Sequence, residues 1–254
     1  EKGKFELISE NKLPDEKKAL YDSVSEVGEL QKNILYKTFE IAKTLSSDLG
    51  GVKIRIIKKI PPGGGLGGGS SNAAMLLKFF FRNTALENTN ELFEIASKIG
   101  ADVPFFLKGS HSFVSGIGEN LRDIVISNGI GILAIPPFSI NTKEAYAYLK
   151  KPLQAEVDLK EWKFLQEKDL ISLKKGDWAS LSSRFENDFE EFAFRKFPTL
   201  GEIRSSFLEF GAEFASLTGS GSCIYGLLGE NLRDQILEKM QKKFQNCKFV
   251  YFSF

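Results

Sequence analysis

The sequence predicts an α+β protein of two domains, and three observations carry that prediction. Val52, Ile54 and Ile56 alternate with Lys53 and Arg55, the period-two pattern of a half-buried strand, and lead into a glycine loop and an apolar helical stretch. The composition breaks at Ser127-Asn128-Gly129, which divides the chain into 1–128 and 129–254. Beyond that break the order strand, helix, strand, strand, helix, strand reads as ferredoxin-like.

Taken in order, the first strand candidate is Phe5 to Ile8. A loop with Pro14 follows, then a long helical stretch in which Ile34, Leu35, Ile41, Ala42 and Leu45 share a face. Gly50-Gly51 ends it, and the strand from Val52 begins. A helix after the glycine loop runs to about Arg82. Another, Glu91 to Ile99, stops at Gly100. Phe113 to Glu119 reads as strand and turn. In the second half Ile130 to Ile135 is a buried-looking strand stopped by Pro136-Pro137, and Thr142 to Leu149 is a helix. Leu153 to Asp177 is polar and carries no assignment. Helices are expected at Trp178 to Phe194, Thr199 to Phe210 and Asn231 to Phe244, and strands at Glu213 to Leu217, Cys223 to Leu228 and Phe249 to Phe254.

Composition narrows the function. The 254 residues are 42% hydrophobic and 26% charged, the balance of a globular chain that can build a core. Net charge is +1, so no global field recruits nucleic acid or an anionic membrane. No run approaches the roughly 18 apolar residues of a spanning helix, and no signal peptide is visible. Cys223 and Cys247 form neither a metal spacing nor a disulfide framework, so a cytoplasmic, reduced protein is expected. The single histidine, His111, argues against a Ser-His-Asp hydrolase and reads as structural or solvent-facing.

The glycine loop is the chemical centre of the sequence. Six of the seven residues from Gly63 to Gly69 are glycine, and Ser70-Ser71-Asn72-Ala73-Ala74 follow. A backbone without Cβ atoms can aim its N–H groups inward as an anion cradle. A helix starting at Ser70 or Ser71, with the serines as N-caps, adds its positive end. There is no Gly-Lys-Ser/Thr, so this is not a Walker loop. The acid-ended strand that a dinucleotide site wants about 20 residues further on is also missing. A flexible linker is disfavoured by the strand and capped helix that frame the loop.

Two further segments stand apart: Gly100-Ala101-Asp102-Val103-Pro104-Phe105-Phe106 and Thr218-Gly219-Ser220-Gly221-Ser222. With Pro62 to Ala74 they resemble the three signature segments of the GHMP superfamily of small-molecule kinases. The long glycine loop and the Gly-Ala-Asp-Val-Pro segment are similar to the branch that phosphorylates 4-diphosphocytidyl-2-C-methyl-D-erythritol in non-mevalonate isoprenoid synthesis. The resemblance extends from about Asn33 to Leu228. It implies an N-terminal domain like ribosomal protein S5 domain 2, a ferredoxin-like C-terminal domain, and a site in the cleft between them.

The resemblance also implies roles. Gly63, Gly64, Gly65, Leu66, Gly67, Gly68, Gly69, Ser70 and Ser71 hold the phosphates of ATP, with Ser70 or Ser71 reaching Mg²⁺. Asp102 is the general base, a role that spacing alone does not separate from capping a turn. Asn33 and Lys58 contact the nucleobase of ATP, and each also fits an exposed polar residue or a strand-end charge. Tyr146 stacks on the cytosine of the substrate, Thr142 lies in the same segment, and Gly219, Ser220 and Gly221 close the substrate site. Partners are limited to the small-molecule substrate, with no nucleic acid and no membrane, in a monomer or homodimer.

The family's opening Ala-Lys-Ile-Asn-Leu strand and its Gly-Tyr/Phe-His segment do not occur here, and the chain starts without Met, so it reads as a fragment. The competing readings are another GHMP kinase, acting on homoserine or mevalonate, and a non-catalytic nucleotide-binding module.

Overall fold

The computed structural model describes residues 4–11, 30–46, 49–149, 166–229 and 232–254. The chain forms two compact units. The first comprises the described residues up to Pro61 together with Gly67–Ile124. The second comprises Pro62–Leu66 together with Val125–Phe254. The glycine run is therefore shared, changing unit between Leu66 and Gly67.

In the first unit, β1 (Phe5–Asn11) and β2 (Val52–Lys58) pair in parallel, from Phe5↔Val52 to Asn11↔Lys58. Val52, Ile54 and Ile56 turn toward the protein and Lys53 and Arg55 toward solvent, as alternation requires. Lys53 and Arg55 pair with Glu6 and Glu10, both at 2.7 Å. The helices are α1 (Ile34–Leu45), α2 (Gly68–Phe81), α3 (Asn90–Ile99) and α4 (Val103–Lys108). α1 buries Leu35, Thr38, Phe39 and Ala42, one stripe at helical spacing. Ala73 and Ala74 of α2 are fully buried, since small residues let helices approach, and Leu77, Ile95, Ala96 and Val103 complete this core. A hairpin of β3 (Ser112–Ser115) and β4 (Asn120–Asp123) closes the unit.

The second unit contains β5 (Ile130–Ile135), α5 (Thr142–Leu149), α6 (Glu167–Lys175), α7 (Trp178–Leu181), α8 (Glu190–Lys196), α9 (Pro198–Glu209), β6 (Phe214–Leu217), β7 (Ile224–Leu228), α10 (Arg233–Lys243) and β8 (Lys248–Ser253). Its sheet runs β6-β7-β5-β8, every pair antiparallel. That is the ferredoxin-like order expected from the sequence. Phe207 of α9 is fully buried over Gly226 of β7, where an added Cβ would stand 2.7 Å from the ring. Ile132, Leu200, Ile203, Ile224, Ile236 and Met240 pack around them.

Three elements differ from expectation. The stretch expected to be one helix from Trp178 to Phe194 breaks after Leu181 and restarts at Glu190. Just before the restart Asn187 Oδ1 accepts the Phe189 N–H at 2.9 Å, a local bond that competes with helix. The unassigned stretch contains α6, held by a reciprocal capping box between Gln166 and Asp169, while 150–165 lie outside the described residues. Residues after Asp102 form α4, with Pro104 in its first turn, where a missing N–H costs nothing.

Asp169 is 3% exposed and receives Arg184 through two nitrogens, Nε at 3.2 Å and Nη2 at 2.6 Å. Those hydrogen bonds hold its carboxyl below the usual carboxylate range, against the opposing effect of burial. A depressed native value stabilises the fold above the unfolded value, about 3.9, and the benefit is lost as pH falls through the native value. Asp169→Asn should therefore cost about 1–3 kcal/mol at pH 7 in urea unfolding. The gap to wild type should close as pH drops below about 4; a gap that stays constant with pH would contradict this account.

Candidate active site

The glycine helix starts earlier than the serines suggest. Gly67 adopts a left-handed φ of +63° and serves as N-cap, its carbonyl accepting the Ser71 N–H at 2.9 Å. A Cβ at Gly67 would stand 2.5 Å from the Phe106 ring, so both conformation and space require glycine. Ser70 and Ser71 consequently lie inside the first turn and do not cap, which corrects the expected serine N-cap. Ser71 turns its hydroxyl back to the Gly68 carbonyl at 3.0 Å. The Ser70 hydroxyl has no hydrogen-bond partner among the described residues. The first-turn N–H groups of Gly68, Gly69 and Ser70 likewise have none there, as helix geometry dictates. Three aligned donors at the positive end of a 14-residue helix have the geometry an anion would require.

Ile34 joins this helix start to the Asp102 turn. Its side chain packs against the backbone of both Gly69 and Gly100, 3.7 and 3.8 Å from where Cβ atoms would stand. The residue before it, Asn33, is the N-cap of α1, and its Oδ1 accepts the Leu35 N–H at 2.9 Å. Capping thus engages one lone pair of the Asn33 oxygen and leaves its Nδ2 uninvolved in the cap. Asp102 precedes α4, is exposed, and makes no side-chain capping bond. Gly118 closes on the turn from the other side, with the Ala101 carbonyl oxygen 1.9 Å from its would-be Cβ. Lys37 of α1, which the sequence reading missed, donates through Nζ to the last carbonyls of α3, Lys98 at 2.7 Å and Ile99 at 2.9 Å. A cation there complements the helix C-terminus and holds the turn that presents Asp102. Lys58 ends β2, and burial pushes its ammonium below the usual lysine range. His111 is exposed.

The second unit carries the other half of the glycine run. The Gly63 carbonyl accepts the Ser222 N–H at 3.1 Å and the Ile140 N–H at 3.3 Å. The Gly64 carbonyl accepts the Cys223 N–H at 3.2 Å and the Thr218 hydroxyl at 2.7 Å. Gly65, at φ +73°, lies so close to the turn that its Cβ would stand 1.8 Å from the Thr218 carbonyl oxygen. Two predicted segments, Gly63 to Leu66 and Thr218 to Ser222, are therefore one structural object. Thr142 also joins it, its hydroxyl 3.1 Å from that of Ser220. Gly219 is exposed, whereas Gly221 is buried under Ile140 and Leu217 and shapes the turn from within. Tyr146 is 63% exposed and perpendicular to Phe189, ring centroids 4.9 Å apart. Among the described residues no three His, Cys, Asp or Glu side chains gather as a metal cage, Cys223 and Cys247 form no disulfide, and no helix is long and apolar enough to cross a membrane.

Comparison with known proteins matches this arrangement. The family model for the GHMP kinases N terminal domain matches residues 33–110, and that for the GHMP kinases C terminal matches 166–246. A 4-diphosphocytidyl-2-C-methyl-D-erythritol kinase of Leptospira interrogans serogroup Icterohaemorrhagiae serovar copenhageni (strain Fiocruz L1-130) is 49% identical over 253 residues, covering 99% of this chain and 85% of that protein. The crystal structure of a 4-(cytidine 5'-diphospho)-2C-methyl-D-erythritol kinase superposes with a TM-score of 0.69 at 26% identity, covering 100% of this chain and 83% of that one. A homoserine kinase from Cytophaga hutchinsonii ATCC 33406 superposes with a TM-score of 0.71 at 17% identity, over 100% and 82%, which speaks for the fold alone. The chain belongs to the GHMP kinases and, among them, to the family of 4-diphosphocytidyl-2-C-methyl-D-erythritol kinases.

Proposed function

We propose that the protein transfers the γ-phosphoryl group of ATP to a hydroxyl of 4-diphosphocytidyl-2-C-methyl-D-erythritol, as a cytoplasmic enzyme of non-mevalonate isoprenoid synthesis. The observation that carries the reading is the bare helix start at Gly68, Gly69 and Ser70, beside a turn that leaves the Asp102 carboxylate without a capping duty. Phosphoryl transfer asks mainly for positioning and charge stabilisation, and those donors supply both. In the reaction the acceptor oxygen forms a bond to the γ-phosphorus and the bond to the bridging oxygen of ATP breaks, releasing ADP. The acceptor's proton passes to the Asp102 carboxylate, since a free alkoxide is too basic to form near neutral pH.

Mg²⁺ fits this chain only as a guest of the phosphates. No carboxylate cage is present among the described residues, and Mg²⁺ is ordinarily held by few protein groups plus phosphate oxygens and water. Ser70, with its unengaged hydroxyl, is the residue that would help hold it, and the ion would neutralise phosphate charge. Asn33 and Lys58 are assigned to the adenine side. Tyr146 is assigned to the cytosine, where stacking is worth roughly 1–3 kcal/mol. Thr142, Gly219 and Ser220 are assigned to the acceptor, with Gly221 shaping their turn.

The deciding experiment is ADP release from ATP and Mg²⁺ with the cytidyl acceptor, homoserine or mevalonate. Turnover is expected with the cytidyl acceptor alone, and Asp102→Asn should lower kcat by about 10²–10⁴-fold with the KM for ATP little changed. Turnover on homoserine or mevalonate instead would move the chain to another acceptor class; ATP binding without turnover on any would leave a nucleotide-binding module.

The loop glycines should separate by cause. Gly65→Ala meets backbone and a left-handed φ, and should lose about 1–3 kcal/mol of stability along with ATP affinity. Gly69→Ala meets only Ile34 at 3.7 Å, and should gain up to about 1 kcal/mol as a helical alanine while weakening ATP binding by crowding the exposed donors. Thermal melts and calorimetric ATP titrations check both; a Gly69→Ala protein that binds ATP as wild type does would argue against phosphate at this helix start.

A further inference from the structure

We infer that Asn187 is a positioning residue for the nucleotide loop, acting through the Thr218 turn; this rests on the reading of Gly63 to Leu66 as part of the phosphate loop. β6 is an edge strand, paired only with β7, so its outward N–H and C=O groups need other partners. At Leu217 both outward groups are taken, one by Asn187 just before α8 and one by Glu190, the first residue of α8. The Leu217 N–H donates to Glu190 Oε1 at 3.0 Å, and the Leu217 carbonyl accepts from Asn187 Nδ2 at 2.9 Å. The same Nδ2 donates to the Gly219 carbonyl at 2.8 Å. One carboxamide thus grips the carbonyls on both sides of Thr218. Its oxygen is committed to the Phe189 N–H, which fixes the orientation of the amide, since the reverse would set an oxygen against two carbonyls.

What the grip holds is the seat of the loop. Thr218 Oγ1 donates to the Gly64 carbonyl at 2.7 Å, and the Ser222 and Cys223 N–H groups hold the Gly63 and Gly64 carbonyls. With its two flanking carbonyls fixed, Thr218 has one orientation in which its hydroxyl reaches Gly64. The hydrogen bonds of Asn187 go to Leu217, Gly219 and Phe189 and not to the loop itself, yet they set the orientation of the turn on which the loop lies. Glu190, which also accepts the Ser216 hydroxyl at 3.0 Å and pairs with Arg204 at 3.3 Å, steadies the same strand end from its N–H side.

The test uses Asn187→Asp, which keeps the shape and the acceptor for Phe189 but loses both donations, and Thr218→Val, which cuts the link at its loop end. Amide hydrogen exchange without nucleotide should quicken about tenfold at Ser222 and Cys223 in Asn187→Asp, while Ile132 in the sheet centre stays protected. The KM and Kd for ATP should rise about tenfold with kcat within about threefold of wild type. The double variant should be little worse than either single one, since both cut one path. Unchanged exchange at Ser222 and Cys223, unchanged ATP affinity with quickened exchange, or effects that multiply in the double variant would each overturn the inference. Because exchange is read without nucleotide, a wild type that binds no ATP would overturn the phosphate-loop reading separately, whatever the exchange shows of the clamp.

Discussion

The hydrogen bonds that seat Gly63 and Gly64 on the Thr218 to Cys223 turn are the constraint on which the candidate site depends. They join segments more than 150 residues apart, and they run from backbone to backbone, with the Thr218 hydroxyl adding a side-chain bond. Backbone pairing at this distance forbids a Cβ at Gly65 by simple overlap. It also commits the loop's carbonyls to the turn. In an extended or turning backbone the N–H groups alternate with the carbonyls, so a loop anchored by its carbonyls is left with donors to present. An anion cradle needs that arrangement, and the polypeptide obtains it without a charged side chain.

The six glycines therefore answer to different causes. Gly63, Gly65 and Gly67 have φ of +63° to +73° and close neighbours, so an L-residue is disfavoured there on conformation and space together. Gly68 and Gly69 are helical and unobstructed, and each forgoes roughly 1 kcal/mol that alanine would contribute. No requirement of the fold accounts for them. The phosphate of the proposed function, which needs the helix start bare, would account for them, and this is the stronger argument for it than the glycine count itself.

Much of this was legible in the sequence, and the remainder was not for identifiable reasons. Strand, glycine loop and helix followed from local alternation and periodicity, and the ferredoxin-like unit from element order. The helix start was misplaced because serine is a good N-cap and the left-handed Gly67 took the position instead. The break between Leu181 and Glu190 was invisible because apolar periodicity runs across it, while the side-chain bond from Asn187 to the Phe189 N–H that precedes the restart has no signal of its own. Lys37 carries no motif signal in the sequence. Only the folded chain shows that it reaches the carbonyls ahead of Asp102. The division of the glycine run between the two units has no local signal at all, because its cause is the distant Thr218 turn.

Backbone similarity leaves the acceptor open, since a homoserine kinase shares this fold as fully as a cytidyl-substrate kinase does. The choice must lie in side chains, and Tyr146, proposed for the cytosine, is where the two acceptors would make different demands. A buried tyrosine on α5 would be packing. This one is mostly exposed and braced by Phe189 at a right angle, so its ring is held while surface remains open. Ordering a large exposed ring without burying it stabilises the fold little. A flat base laid on that surface recovers the missing burial, and does so regardless of the base's hydrogen-bonding edge. Homoserine and mevalonate have no flat ring to offer and would leave Tyr146 as exposed as it stands. The aromatic pair thus favours an acceptor that carries a nucleobase, independently of the loop that handles the phosphates.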